Sequence, residues 1–411
     1  MPSVSLYCKV HLPQALNRYS SGNIGSGAEY FNTVADEAAV NQLADACYLP
    51  ANKLMLSLIE NYKGEFRLAY SISGTTLELL MRYRPDVIKS FQLLAQTGCV
   101  EFLAETYYNS LSWLHSKKEF QYQVEKHAAL IKNLFGVKAV VFRNTELIYN
   151  NDLAKYIAAM GYKGIISESV DRILNGRSAN QIYTAPGVDN TRILLRNVSL
   201  SDDIAFRFGS VHWNEHPLTA EKYAGWIHDH KDECNINILL DYETFGIHKK
   251  QDSGIFDFLE NLPAAILAGK NWKFTTPSEA LEQCSPNDEY NIEETISWKD
   301  KEIECCVWCE NTQQNNMLKK VYSLENMVHK NGNEAEISEW RQLQSADYFY
   351  HMSGERRTAD DAYQYLNPFD SAEEAYQNYV NIITDFEIKL IEKGLSKFKD
   401  ENQHTINTSL Y

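Results

Sequence analysis

The chain has 411 residues, 44% of them hydrophobic, and carries 39 Lys and Arg against 55 Asp and Glu, a formal net charge of -16. This composition is that of a globular protein with room for one large domain and a smaller one. The acidic balance repels nucleic acid and anionic membrane surfaces, so neither is an expected partner, whereas a neutral ligand feels little of it. Aromatic residues reach 12%, with 25 Tyr and 7 Trp. That supply suits a site that stacks on flat apolar faces such as sugar rings, although ordinary core packing accounts for most of it. No apolar run has bilayer length. The opening MPSVSLYCKVHLP lacks a basic leader ahead of an apolar stretch, so no secretion signal is expected. The eight Cys are scattered without a framework spacing, which favours reduced thiols and a cytoplasmic protein. Cys306 and Cys309 form one isolated C-x-x-C, and a zinc site needs two further ligands nearby, so the pair reads as structural or incidental.

In chain order, strands are expected at Val4–Val10, Arg67–Ser71, Val100–Leu103, Ala139–Phe142, Gly164–Ser167, Ile193–Arg196 and Ile236–Leu240. Helices are expected at Asp36–Tyr62, Thr75–Thr97, Glu119–Phe135, Asp152–Met160, Thr219–Asp232 and Ile255–Ala268. This alternation argues βα units on a parallel sheet. About seven such units in roughly 270 residues suit a closed or nearly closed barrel better than an open doubly wound sheet. After about Cys284 the texture turns helical. Thr312–Lys330 keeps Met317, Val321, Leu324 and Val328 at helical spacing, and Ser371 with Glu374 forms a capping box opening a long helix to about Lys393. The expected division is a barrel over residues 1–285 and a C-terminal helical region over 286–411, its last residues, from Lys399, frayed.

Parallel barrels place chemistry at the C-terminal ends of their strands. His11 ends the first strand, Glu101 lies on the third, Arg143, Asn144 and Glu146 follow the fourth, and Asp241 ends the last. Polar groups distant in sequence thus converge on one rim. Glycoside hydrolysis needs two carboxyl groups flanking the scissile bond, and Glu146 and Asp241 fit that need. Glu243 is an alternative to Asp241 that spacing alone does not separate. Arg143 is expected to pair with a carboxylate. Trp213, Trp308 and Trp340 are candidate stacking platforms, although each such residue is more often core. His212 and His216 have i,i+4 metal spacing, but Pro217 argues against a continuing helix, so they read as loop residues and no metal set is expected.

Five segments in order resemble glycoside hydrolase family 57. KVHLPQALNRY is similar to the family's His-Gln-Pro segment, with His11 in place and Leu12 where Gln is usual. In TGCVEFLAETYYNSL, Glu101 falls on a pocket glutamate. In VFRNTELIYN, Glu146 falls on the catalytic nucleophile. In LLDYETFGIHKKQDSGIF, Asp241 falls on the general acid/base and His248 where some members carry a pocket Trp. In LQSADYFYHM, Asp347 falls on a pocket aspartate. RNVSLSDDIAFRF resembles the α-amylase-type branch. The resemblance implies a distorted (β/α)7 TIM-like barrel followed by a helical bundle domain, and a retaining hydrolase of α-1,4-glucans or maltooligosaccharides with no cofactor and no catalytic metal. His11, Glu101, Arg143, Trp213, His248 and Asp347 would line its substrate site. The competing readings are a 4-α-glucanotransferase of the same family, a metal-dependent carbohydrate deacetylase and a non-catalytic glucan-binding protein. Oligomeric state is left open.

Overall fold

All seven expected strands form, and they pair into a ring. The computed structural model describes residues 1–286, 288–298, 308–353 and 367–408, with 397–408 as backbone alone. The strands are β1 (Ser3–Val10), β2 (Leu68–Ile72), β3 (Val100–Phe102), β4 (Val141–Arg143), β5 (Gly164–Glu168), β6 (Ile182–Ala185), β7 (Val188–Arg196), β8 (Asn235–Asp241), β9 (Lys273–Phe274) and β10 (Asp288–Glu289). Parallel ladders join β8, β1, β2 and β3 on one side and β4, β5 and β7 on the other. Two narrower seams close the ring. Ala104 donates to Val141 O at 2.9 Å and Arg143 donates to Ala104 O at 2.8 Å. Asn197 donates to Asn237 O at 2.8 Å, and the Asn237 amide reaches Leu195 O at 3.0 Å. The result is a seven-stranded (β/α) barrel. β6, which the sequence pattern did not announce, runs antiparallel to β7 and takes β10 on its other edge.

Period-2 alternation decides what the barrel holds. Tyr7, Ala69, Leu103, Val141, Ile166, Leu194 and Leu239 form one buried cluster with Ala280, Leu281 and Cys284. The last three come from the end of the chain's helix Pro277–Gln283 and its cap, so this helix plugs the barrel at the strand N-termini. Leu281 presses on Gly164, where an added Cβ would lie 2.4 Å from its Cδ1. Below Tyr7, the inward column of β1 and β8 is polar and self-satisfied: Ser3 and Ser5 donate to Asn235 Oδ1 at 2.7 and 3.1 Å, and Asn235 donates to Asn237 Oδ1 at 2.6 Å.

The surrounding helices follow their local signals with two departures. Thr75–Thr97 divides into Gly74–Tyr83, capped by Ser73, and Pro85–Gln96, because Pro85 removes a backbone donor and starts a new helix at N1. Asp36–Tyr62 is interrupted by a π turn at Ala44–Tyr48. Cys234 and Cys284 are joined by a disulfide with Cα atoms 6.1 Å apart, which corrects the expectation of thiols throughout. Barrel closure causes it, since it brings the start of β8 beside the end of the plugging helix. Among the described residues no helix is long and apolar enough to cross a membrane.

A second unit comprises residues 13–36, 108–120 and 307–411, and the barrel unit takes the rest. In it the expected helix at Thr312–Lys330 breaks at Leu324 into Thr312–Ser323 and Glu325–Asn331. Trp340 donates to Val321 O at 2.8 Å, and Trp308 is buried against Tyr350, so both are core residues. Arg341 forks onto Glu119 at 2.9 and 3.2 Å. Ser371 accepts from Glu374 N at 3.1 Å and opens a helix, Ala372–Thr408, that passes Lys393 and continues through residues expected to fray. Cys306, half of the C-x-x-C pair, lies outside the described residues.

The disulfide closes a 50-residue separation, and chain entropy puts such a crosslink at about 4 kcal/mol. Reduction, or Cys234→Ser with Cys284→Ser, is expected to lower the melting temperature measured by calorimetry. An unchanged melting temperature in reductant would show that the plug is held by packing alone.

Candidate active site

One alternation step above the apolar layer, the inward positions become charged. Lys9 is the next inward residue after Tyr7 on β1, and Asp241 follows Leu239 on β8; the two are direct partners in the β1–β8 ladder. Lys9 Nζ donates to Glu146 Oε1 at 3.0 Å, and both side chains are almost wholly buried. Trp298 Nε1 donates to the other oxygen, Oε2, at 2.7 Å. Trp298 arrives on an extended segment that pairs Ile296 with Tyr149 and ties its own N–H to Glu146 O at 3.2 Å. The turn that carries Glu146 is strained. Glu146 and Leu147 both have left-handed backbones, φ 54 and 51, a conformation that costs a non-glycine residue about 1–2 kcal/mol. The Asn144 side chain braces the turn by donating to Ile148 O at 2.9 Å.

Asp241 is half-buried at the strand end, while Glu243, two residues on, is enclosed. Tyr48 donates its hydroxyl to Glu243 Oε1 at 2.6 Å. Burial, and then the neighbouring Asp241 charge, push the Glu243 carboxyl up to about 8, against the lowering effects of Tyr48 and Lys9. The π turn at Ala44–Tyr48 delivers Tyr48. In the same turn Cys47 Sγ donates to Tyr242 O at 3.1 Å, and Ala46 O lies so close to Gly246 that an added Cβ would sit 2.0 Å from it. With φ 111 as well, position 246 accepts only glycine without a shift.

Of the residues expected to line the site, His11 stands on the same inward face as Lys9, with Nδ1 2.7 Å from Ser73 Oγ. Arg143 is inward on β4 and pairs with Glu105 at 3.6 Å, as expected of it. Glu105 N in turn donates to His127 Nδ1 at 3.3 Å, and His127 Nε2 lies 2.8 Å from Ile72 O; burial pushes this imidazole below its usual range, so it is neutral, with its proton on Nε2. His248 follows β8 and its N–H donates to Glu243 O at 2.9 Å. Glu101 is not brought into this group. It sits opposite Ala69, the layer below, and accepts from Ser278 N at 2.8 Å at the start of the plugging helix. Trp213 is half-buried, its ring against Trp226 at 6.0 Å and Arg207 at 5.7 Å, on the helix side. Asp347 lies in the second unit, buried, accepting from Ser345 Oγ at 2.6 Å and Asn109 Nδ2 at 3.3 Å.

Sequence reasoning passed over Lys9, Trp298 and a second charged set on the rim. Arg196 ends β7 between Glu168 at 3.2 Å and Asp202 at 2.5 Å, and burial pushes the Glu168 carboxyl up to about 7 despite Arg196. The signal for Lys9 was present: it is the one charge in SVSLYCKV, in phase with His11. Trp298 had only the short alternation TISW after a polar turn. Among the described residues no group of three or more His, Cys, Asp or Glu is placed to hold a metal ion.

Glu243 and Glu168 both bind protons more tightly when folded than when unfolded. Their contribution is therefore fully present below the unfolded range near 4.5 and is lost as pH rises through about 7 for Glu168 and about 8 for Glu243. Thermal stability is expected to fall between pH 5 and pH 8.5 by on the order of a few kcal/mol. Glu243→Gln should flatten that slope. A melting temperature that rises over the same range in the parent protein would mean that these carboxyls are ionised and solvated.

The model of "Glycosyl hydrolase family 57" matches residues 5–293. A Methanocaldococcus jannaschii protein named "Putative alpha-amylase" is 38% identical over 406 residues, covering 96% of this chain and 86% of its own. The 4-alpha-glucanotransferase from Thermococcus litoralis superposes with TM-score 0.64 at 16% identity over 85% of this chain; the match spans 56% of that enzyme, little more than half. The alpha-amylase from Thermotoga maritima gives TM-score 0.62 at 13% identity, over 95% of this chain and 93% of its own. At such identities the structural likeness speaks for the fold. The family match over most of the barrel speaks for descent, and the chain belongs to glycosyl hydrolase family 57.

Proposed function

We propose that the chain is a retaining, α-amylase-type hydrolase of α-1,4-glucans or maltooligosaccharides, with Glu146 as nucleophile and Asp241 as general acid/base. The observation that carries this reading is the way Glu146 is held. Both its oxygens are engaged, by Lys9 and Trp298, on a strained turn at the end of β4. A carboxylate kept charged and oriented at that cost suits a nucleophile. Asp241 is chosen over Glu243 as the acid/base because it is the more exposed of the two, whereas Glu243 is closed off behind Tyr48. In the first step Glu146 attacks the anomeric carbon as Asp241 protonates the departing oxygen. In the second, Asp241 takes a proton from water, which opens the ester. His11, Arg143 and His248 are the nearest candidates for contacts to sugar hydroxyls. The names of the relatives, amylase and glucanotransferase, point to the same class of substrate.

Glu146→Gln is expected to cut turnover by about 10⁴-fold or more while maltooligosaccharide binding persists. In Asp241→Asn, a maltooligosyl fluoride should still load Glu146, and mass spectrometry should find the glycosyl ester on the peptide containing it. A label on Asp241 or Glu243, or an inverted product anomer, would overturn the assignment. In a ligand complex the two carboxyl groups should stand about 5–5.5 Å apart. Incubation of maltooligosaccharides with added glucose should yield only shorter products and glucose. Longer products would make the chain a transferase, and inhibition by a chelator reversed by zinc would move it to the metal-dependent deacetylases.

A further inference from the structure

The nucleophile's partner is a buried ammonium, and a buried Lys is costly. Taking the Lys9 and Glu146 charges from water carries a desolvation penalty that their attraction offsets only in part, so such a pair is weak evidence for a stability device. On the backbone, Lys9 is the ladder partner of Asp241, and its ammonium bears electrostatically on Glu243. We infer that Lys9 is a positioning residue that holds the charge of the nucleophile and couples it to the acid/base. This inference rests on the proposed roles of Glu146 and Asp241.

Charge is conserved around a fixed cation. In the substrate complex about to react, Lys9 is balanced by the Glu146 carboxylate, and Asp241 carries the proton that it will donate. In the first step the bond from the anomeric carbon to the leaving oxygen breaks and a bond to a Glu146 oxygen forms. The Asp241 proton goes to the leaving oxygen. Glu146 is now a neutral ester and Asp241 a carboxylate. The negative charge has passed from one neighbour of Lys9 to the other, so the buried ammonium has a counter-ion at both stages. In the second step water gives its proton to Asp241 and its oxygen to the anomeric carbon, and the charge returns to Glu146. Without Lys9, Glu146 would lose the ammonium that bonds its ionised form.

Other charged groups of the same rim have partners of their own, as Arg196 has in Glu168 and Asp202. Glu243 is tied to Tyr48 on the helix side, and Arg143, on the strand leading to Glu146, is matched by Glu105. His11, farther along β1, lies against Ser73.

The test is Lys9→Met against Lys9→Arg in the full chain, with an aryl maltooligosaccharide as substrate. Lys9→Met should lower kcat about 10- to 150-fold, the value of one charge-assisted contact, and move the acidic limb of kcat/KM to higher pH. Lys9→Arg should return the limb towards its original position. A merely structural residue would lower yield and melting temperature and leave the limb where it was, and that result overturns the inference. Should Lys9→Met not fold, the double variant Lys9→Met with Glu146→Gln removes both charges. Recovery of the melting temperature supports the coupling, and no recovery overturns it. Labelling of the parent protein with a maltooligosyl fluoride separates the two failures. If Glu146 takes no label, the reading of the nucleophile falls and Lys9 with it. If Glu146 is labelled and Lys9→Met leaves rate and limb unchanged, only the role of Lys9 falls.

Discussion

The contact between Lys9 and Glu146 is where strand register, backbone strain and burial meet. Lys9 can reach the turn after β4 only because the ring closes through the narrow Ala104–Phe142 seam, far in sequence from β1. Removing one partner of a buried ion pair costs about 3–5 kcal/mol, because the other is left charged in a poor solvent. That cost gives the turn its footing. Two consecutive left-handed non-glycine residues hold when the surroundings over-determine them, and here Lys9, Trp298 and the Asn144 brace do so.

The same logic repeats around the rim. The layer that contains Tyr7, Ala69, Val141, Ile166, Leu194 and Leu239 is apolar apart from the Tyr7 hydroxyl and Glu101, which lies opposite Ala69. One alternation step higher the inward residues include Lys9, Arg143, Glu168, Arg196 and Asp241, and each cation there faces acid: Glu146 for Lys9, Glu105 for Arg143, Glu168 and Asp202 for Arg196. A closed sheet sealed below by the helix Pro277–Gln283 makes a low-dielectric floor. Charges set on such a floor interact more strongly than they would in water. This is how burial can hold Glu243 protonated near neutrality although Lys9, which fixes the Glu146 carboxylate, also bears on it.

The barrel was legible because its strands are short apolar runs separated by helices of ordinary period, and period is a local property. What was not legible depended on contacts between distant segments. β6 lies in a polar stretch that becomes a strand by pairing with β7. The π turn before Tyr48 is one extra residue's worth of slack that only the neighbouring Gly246 and Tyr242 explain. The short pieces 13–36 and 108–120 of the second unit read as loops of the barrel when taken in order. In the site, strand ends and the family resemblance pointed to Glu146 and Asp241, and the structure puts Lys9 next to both. Lys9 itself was passed over because a charged residue inside a strand reads as solvent-facing unless both neighbouring strands are known. Glu101 shows the converse: its inward face was correct, but its level depended on the barrel's stagger, and two residues lower an inward carboxylate meets a helix N-terminus instead of the rim.

The charge transfer proposed around Lys9 also bears on the choice between the proposed hydrolysis and transglycosylation. In the proposed second step Asp241 would remove a proton from whichever hydroxyl approaches the anomeric carbon. Water and a sugar hydroxyl present the same O–H to it, and the charge accounting is identical for both. Nothing in the Lys9–Glu146–Asp241 arrangement discriminates between them. The choice must therefore rest with groups that bind the rest of an acceptor sugar, above the rim and beyond the reach of these three side chains. Substitutions there would alter the ratio of transfer to hydrolysis while leaving the acidic limb of the pH profile in place, because that limb belongs to the nucleophile and its cation.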